Sequence, residues 1–423
     1  MALAPKIINE IYYELLHSVS PEVLAYKNPD EFETEIESYL KRYSKNNRLK
    51  ISLAEQKTIA LDLKNDFLGL GPLEYLLNDA DITEIMVNRH DHIFVEKKGR
   101  IQLSTVKFRD YQHVLNIVQR IANRINRRFD DSNPILNARL HDGSRVNAVL
   151  SPLSLDGISI NIRKFKKGLL KLDNLIEVDT LTEPMANFLK ICAQCRVNIL
   201  VAGGTGSGKT TMLNILASQA NPDERIITIE DSAELQINMD NLIRLESKDP
   251  NPEGKGAISI YDLVVNSLRM RPDRIIIGEV RGAEAFEMLK VLNTGHDGSM
   301  STIHCNSAHE SLLRLENMVA GSTSGIPFLT IRWQISAALD LVVFLKRFHD
   351  GSRKCSEILD ICGLKEAAIE TKHFVKFRVD GLDKDGKIIG HYERYKTQPS
   401  FIDKIKTYGR EEEMNYCMKH WND

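Results

Sequence analysis

The run Gly203-Gly204-Thr205-Gly206-Ser207-Gly208-Lys209-Thr210 constrains this chain more than any other stretch. It matches G-x-x-x-x-G-K-[ST] throughout, and Thr211 extends it into the segment that follows. Ahead of it, Val197-Asn198-Ile199-Leu200-Val201-Ala202 is a short apolar run suited to a buried parallel strand. Behind it, Met212-Leu213-Asn214-Ile215-Leu216-Ala217 reads as the first turns of a helix. Strand, glycine-rich turn and helix in that order make a phosphate cradle. The glycines let backbone N–H groups turn inward, and the helix N-terminus adds positive potential. Lys209 is expected at the β- and γ-phosphates and Thr210 on Mg²⁺, so the implied cofactors are ATP and Mg²⁺.

The bulk properties narrow the setting. A chain of 423 residues has room for two or three domains with real cores. A net charge of −2 gives no global electrostatic case for nucleic acid. No apolar run is long enough to span a bilayer, and Met1-Ala2-Leu3-Ala4-Pro5-Lys6 lacks a secretory layout. Six cysteines are too sparse for a disulfide framework. Cys192-Ala193-Gln194-Cys195 lies in the apolar segment before the nucleotide-binding strand and reads as helix packing. These features together predict a cytoplasmic protein.

The chain changes character twice. Residues 1–62 read as a helical region. Ile7, Ile8, Ile11, Tyr12, Leu15 and Leu16 form one helical stripe, and Phe32, Ile36, Tyr39, Leu40 and Tyr43 a second. A third helix is expected from Ser52, with Glu55 completing a capping box. The basic run Lys41–Lys50 reads either as contact with anionic lipid or a partner, or as a solvated helix end and turn. Residues 63–165 read as a small α+β domain. It has strands at Ile82–Asn88 and His92–Glu96, a hairpin at Lys97-Lys98-Gly99-Arg100 and a helix over Val114–Ile125. Further strands follow at Arg145–Val149 and Ile158–Ile162. Residues 166–423 open with alternating strands and helices, which implies a parallel sheet covered on both faces. The tail has strands near Phe374–Phe377 and a hairpin turn at Asp383-Lys384-Asp385-Gly386.

Three segments carry chemistry beyond the phosphate loop. Ile275-Ile276-Ile277-Gly278-Glu279 puts an acid at the carboxyl end of a core strand, where open α/β sheets bind ligands. Gly278 stands where an aspartate is usual, so Glu279 must serve Mg²⁺ through water, activate the attacking water, or both. Glu230-Asp231-Ser232-Ala233-Glu234 follows a second strand, Arg225–Ile229. The third segment, Gly295–Asn306, holds His296, His304 and Cys305. Its spacing fits a sensor of the γ-phosphate better than a zinc site, since no matching Cys or His cluster accompanies it.

In order and spacing these motifs resemble those of the secretion-ATPase superfamily, the motors of type II and type IV secretion, type IV pili and archaeal flagella. Four matches carry the resemblance: the phosphate loop, Ile229-Glu230-Asp231 with Glu234, Gly278-Glu279-Val280-Arg281-Gly282, and Thr294-Gly295-His296 through Thr302-Ile303-His304. Gly278 is usual there. Gly69-Leu70-Gly71-Pro72-Leu73-Glu74, Asp81–Asn88, Asp142–Ala148 and the tail Gly381–Lys387 look like the CpaF branch, which powers tight-adherence (Flp-type) pili.

The resemblance covers roughly residues 65–400. It implies a PAS-like N-terminal domain, a RecA-like ATPase domain and a homohexameric ring. Such a ring docks on an inner-membrane platform protein, with peripheral membrane contact and no nucleic acid. It also implies that arginines of the smaller domain close onto the phosphates, Arg145 and Arg163 fitting best by motif position and Arg139 less well. His304 takes the family's histidine-motif role, and Glu230, Glu279 and Lys209 the catalytic ones. Two other classes stay open: a P-loop motor that translocates nucleic acid, and a nonenzymatic nucleotide-gated scaffold.

Overall fold

The computed structural model describes residues 10–12, 14, 28–47, 49, 51–97, 99–165, 168, 171–251, 254–323 and 325–420. Ile7, Ile8, Leu15 and Leu16 of the first stripe lie outside the described residues, as do Arg48 and Lys50 of the basic run. The chain divides into two units, Met1–Lys166 and Lys167–Asp423.

In the first unit, α1 (Pro29–Asn46) buries Phe32, Ile36 and Leu40, one helical face at a spacing of four. They share a small core with Ile59, Ala60, Leu63 and Phe67 of α2 (Leu53–Leu68). Ser52 caps α2, and its capping box with Glu55 is formed. The boundary expected at residue 62 falls inside α2, because its apolar face continues to Phe67.

A tight turn leads into α3 (Leu73–Asn78), then β1 (Ile82–Arg89), β2 (His92–Lys97), β3 (Arg100–Leu103) and α4 (Tyr111–Arg124). The last strands are β4 (Ile135–Arg139), β5 (Arg145–Val149) and β6 (Ser159–Arg163). All six strands form one antiparallel sheet in the order β3-β2-β1-β6-β5-β4. Val114, Ile117, Val118 and Ile121 of α4 pack with its apolar positions in one core, so the opposite positions are left to polar residues. Strand β4 is absent from the sequence reading. It follows Pro134, and only Leu136 of its residues is fully buried, which leaves little alternation to detect.

The second unit begins with α5 (Leu172–Glu177), α6 (Glu183–Gln194), β7 (Ile199–Gly203), α7 (Lys209–Ala217), β8 (Ile226–Glu230) and β9 (Leu242–Glu246). It continues through α8 (Ile260–Ser267), β10 (Arg274–Ile277), α9 (Glu284–Leu292), β11 (Met300–His304), α10 (Ala308–Ser322) and α11 (Phe328–Ala338). It ends with β12 (Leu341–Arg347), β13 (Arg353–Lys365), β14 (Ala368–Leu382), β15 (Ile388–Arg394), α12 (Ile402–Thr407) and α13 (Glu411–Lys419).

One nine-stranded sheet, β15-β14-β13-β12-β7-β11-β10-β8-β9, runs through this unit. The six strands from β12 to β9 are parallel, and β13 to β15 add antiparallel hairpins at one side. The two-residue period of the buried strands feeds two cores. Ile199, Val201, Ile276 and Val343 join one, while Leu200, Ala202, Ile275, Ile277 and Phe344 join the other. Each fully buried aliphatic side chain contributes roughly 1.5–3 kcal/mol, so the strands that end at the phosphate loop are held firmly. Cys192 of α6 and the adjoining Cys195 belong to the first core, and burial pushes both thiols above their ordinary range.

Candidate functional site

The phosphate loop leaves the carboxyl end of β7 and enters α7. Gly203, Gly206 and Gly208 have φ of 156°, 69° and 97°, which side chains disfavour. At Gly203 space decides as well, since a Cβ would lie 2.4 Å from the Leu345 carbonyl oxygen and 2.6 Å from Ser207 Oγ. Gly204, Thr205 and Gly206 lie on the open side of the loop, and Ser207 is buried beneath it. Thr210 and Thr211 occupy the first turn of α7 with Lys209, where backbone N–H groups have no acceptor within the helix.

Lys209 is only 7% exposed. Its ammonium donates to the Gly204 carbonyl at 2.9 Å and stands 3.3 Å from His304 Nε2, at the end of β11. Burial lowers the Lys209 pKa, and the Glu279 carboxylate counters that. His304 Nε2 in turn lies 3.7 Å from Glu279 Oε1. Burial, then the positive charge of Lys209, depress the His304 imidazole below its ordinary value. The second carboxylate oxygen of Glu279 accepts from Arg281 at 2.9 Å, and Arg281 also reaches Asp231 at 3.2 Å. The strand ends of β7, β10 and β11 therefore gather an ammonium, an imidazole and a carboxylate within hydrogen-bonding or near-bonding distance.

Glu230 sits apart from that cluster and deeper, 3% exposed at the end of β8. Its Oε1 accepts from the backbone N–H groups of Glu234 and Leu235 at 2.8 and 3.0 Å. Its Oε2 is buried with no hydrogen-bond partner among the described residues. Burial raises its pKa against the pull of those two N–H groups. The glycine at 278 is now accounted for. A Cβ there would lie 2.9 Å from Glu230 Cγ, so the Glu230 side chain occupies the space an aspartate would need. Gly278 is also fixed through its backbone, donating to Ile229 O at 2.8 Å and accepting from Thr302 Oγ1 at 2.7 Å.

Two further cations border the loop that sequence reasoning missed. Arg353 Nε donates to Gly206 O at 2.9 Å, and Arg347 NH1 lies 3.1 Å from where a Gly206 Cβ would be. They follow the apolar run of β12 and open β13, and no motif marks them.

In the first unit, Arg139, Arg145 and Arg163 fall in one cross-strand row. Arg139 pairs with Arg145 between β4 and β5, and Arg145 with Arg163 between β5 and β6. Glu84 of β1 stands opposite Arg163. The next row on the same face holds Asn137, Asn147 and Asn161.

A model of the family described as "Type II/IV secretion system protein" matches residues 66–384. The chain belongs to this family of type II/IV secretion system proteins. It is 31% identical over 337 residues to the conjugal transfer protein TrbB of Rhizobium radiobacter, across 79% of this chain and 95% of that protein. It is 32% identical over 310 residues to the type IV secretion system protein PtlH of Bordetella pertussis, across 67% of this chain and 91% of PtlH. The crystal structure of the pilus retraction motor PilT with bound ADP covers 83% of this chain and 89% of its own, at TM-score 0.53 and 16% identity. That likeness bears on the fold, and the parallel part of the large sheet is a RecA-like core. No helix among the described residues is long and apolar enough to cross a membrane.

Proposed function

We propose that this chain hydrolyses ATP as the motor of a tight-adherence pilus, working as a homohexamer on an inner-membrane platform protein at the cytoplasmic face. The observation that carries the reading is the convergence of Lys209, His304 and Glu279 on a glycine cradle at the carboxyl ends of parallel strands. Phosphoryl transfer needs positioning and charge neutralisation more than covalent help, and this site offers both. Lys209 binds the phosphates, and neutral His304 takes a hydrogen bond from it and holds it toward Glu279. Gly203, Gly204, Thr205, Gly206, Ser207, Gly208, Thr210 and Thr211 line the cradle.

Thr210 and Glu279 would hold Mg²⁺, which supplies positive charge at the phosphates when bound. One hydroxyl and one carboxylate suit an ion that keeps waters and phosphate oxygens as its other ligands. Glu230, buried and raised in pKa with one open oxygen, orients the attacking water. Arg145 and Arg163, aligned across β5 and β6, add charge to the phosphates during the cycle.

The relatives TrbB and PtlH favour a second reading, the motor of a type IV secretion or conjugation apparatus. Deleting the gene and scoring surface fibres against protein or DNA export separates the two. The ATPase itself is tested by Lys209→Ala, which is expected to abolish turnover with circular dichroism unchanged. Glu279→Gln and Glu230→Gln are each expected to slow hydrolysis at least roughly a hundredfold while ATP still binds. Wild-type turnover in all three folded variants defeats the reading.

A further inference from the structure

The phosphate loop is flanked on both sides, and only one side is accounted for by Lys209, His304 and Glu279. Gly203 pairs with His304 of β11 on one side and with Leu345 of β12 on the other. Two residues beyond Leu345, at the end of β12, is Arg347, directly opposite Arg353 of β13. Both arginines are exposed, and both lie against Gly206. Two cationic side chains from neighbouring strands thus reach the same loop glycine. In the turn between them, Asp350 accepts from Ile388 N–H and from Ser352 Oγ and N–H, which hold its carboxyl down to about 2.

We infer that the β12–β13 hairpin is an arginine clamp for the nonreacting phosphates of the nucleotide, so that it holds the nucleoside diphosphate product as firmly as the triphosphate. This rests on the phosphate-loop reading of Gly203–Thr210. The two arginines divide the task. Arg353 is a positioning residue. Its bond to Gly206 O turns that carbonyl outward, and in a trans peptide the Ser207 N–H then points the opposite way, into the cradle. That N–H has only a long 3.4 Å bond to Gly204 O, so it is available to an anion. The Arg347 side chain makes no hydrogen bond or ion pair among the described residues, and its planar fork suits phosphate oxygens. The transferred phosphate belongs on the side of Glu279 and His304. The arginine side therefore meets the phosphates common to ATP and ADP.

The test is nucleotide affinity of the full-length protein, measured for ADP and a nonhydrolysable ATP analogue by calorimetry at several salt concentrations. Arg347→Ala is expected to weaken both nucleotides by the same factor, roughly tenfold or more, as for a lost charge-assisted hydrogen bond. Its affinity is expected to fall less steeply with salt than that of the wild type. In turnover, KM rises by far more than kcat falls. Arg353→Ala is expected to weaken both nucleotides too, and Arg353→Lys to restore part of the affinity by donating to Gly206 O. A normal Kd for ADP in Arg347→Ala, or a loss confined to kcat, overturns the clamp. Lys209→Ala is the control for the site itself. If it binds ADP like the wild type, the phosphate-loop reading fails, and the clamp fails with it. If it loses ADP while Arg347→Ala does not, only the clamp fails.

Discussion

Single residues decide how tightly this site is built, and Gly278 is the clearest case. It stood in the sequence as a departure from the usual acid, with no local reason. The reason comes from β8, whose Glu230 fills the space over Gly278. Gly278→Ala is therefore expected to push Glu230 off its bonds to Glu234 and Leu235, costing about 1–3 kcal/mol as overpacking. Turnover should fall much more than ADP affinity, and unchanged turnover refutes the contact. His304 gives a pH prediction. Its pKa lies below 6.5 in the folded chain, so between that value and 6.5 the unfolded chain binds more protons. Stability from neutral His304 is complete above 6.5 and is lost as pH falls through the depressed value. Thermal melts from about pH 5 to 7.5 should show this loss in the wild type and a flatter profile in His304→Asn.

Elements were legible in the sequence where apolar periodicity was strong. The strands Ile226–Glu230 and Arg274–Ile277, the capping box at Ser52 and the hairpin at Lys97–Arg100 all follow from local chemistry. What was not legible is alignment between strands, because register is set by partners distant in the chain. Hence the hairpin arginines went unseen, and Arg139, Arg145 and Arg163 appeared only as separate candidates. Their alignment yields a prediction. Arg145 stands in register between the other two arginines, and Arg145→Ala is expected to keep the wild-type fold by circular dichroism. If the row serves the phosphates, the same variant should lose a hundredfold or more in turnover, within the range for an added arginine at phosphoryl transfer. A variant less stable than the wild type yet fully active would make the row a structural ion-pair site.

At the scale of the whole molecule, the sequence reads as three regions, 1–62, 63–165 and 166–423, and the chain divides into two units, Met1–Lys166 and Lys167–Asp423, whereas assembly is a property no single chain displays. The ring is tested by mass. Nucleotide that binds the assembled form better than the free chain shifts association by mass action. Head-to-tail contacts either close into a ring or run on as a filament, so a closed ring has one defined mass. With a chain of 48.0 kDa and a near-neutral net charge of −2, self-association faces little electrostatic opposition. Glu279→Gln is expected to retain ATP without spending it and so to give the largest fraction of sixfold mass in sedimentation with ATP. Lys209→Ala is expected to give the smallest. The wild type should fall between them and lose the ring as ATP is consumed. If Glu279→Gln with saturating ATP stays monomeric at micromolar protein, the ring is wrong. The proposed phosphate site would survive that result, because Lys209, His304 and Glu279 all lie within one unit of one chain.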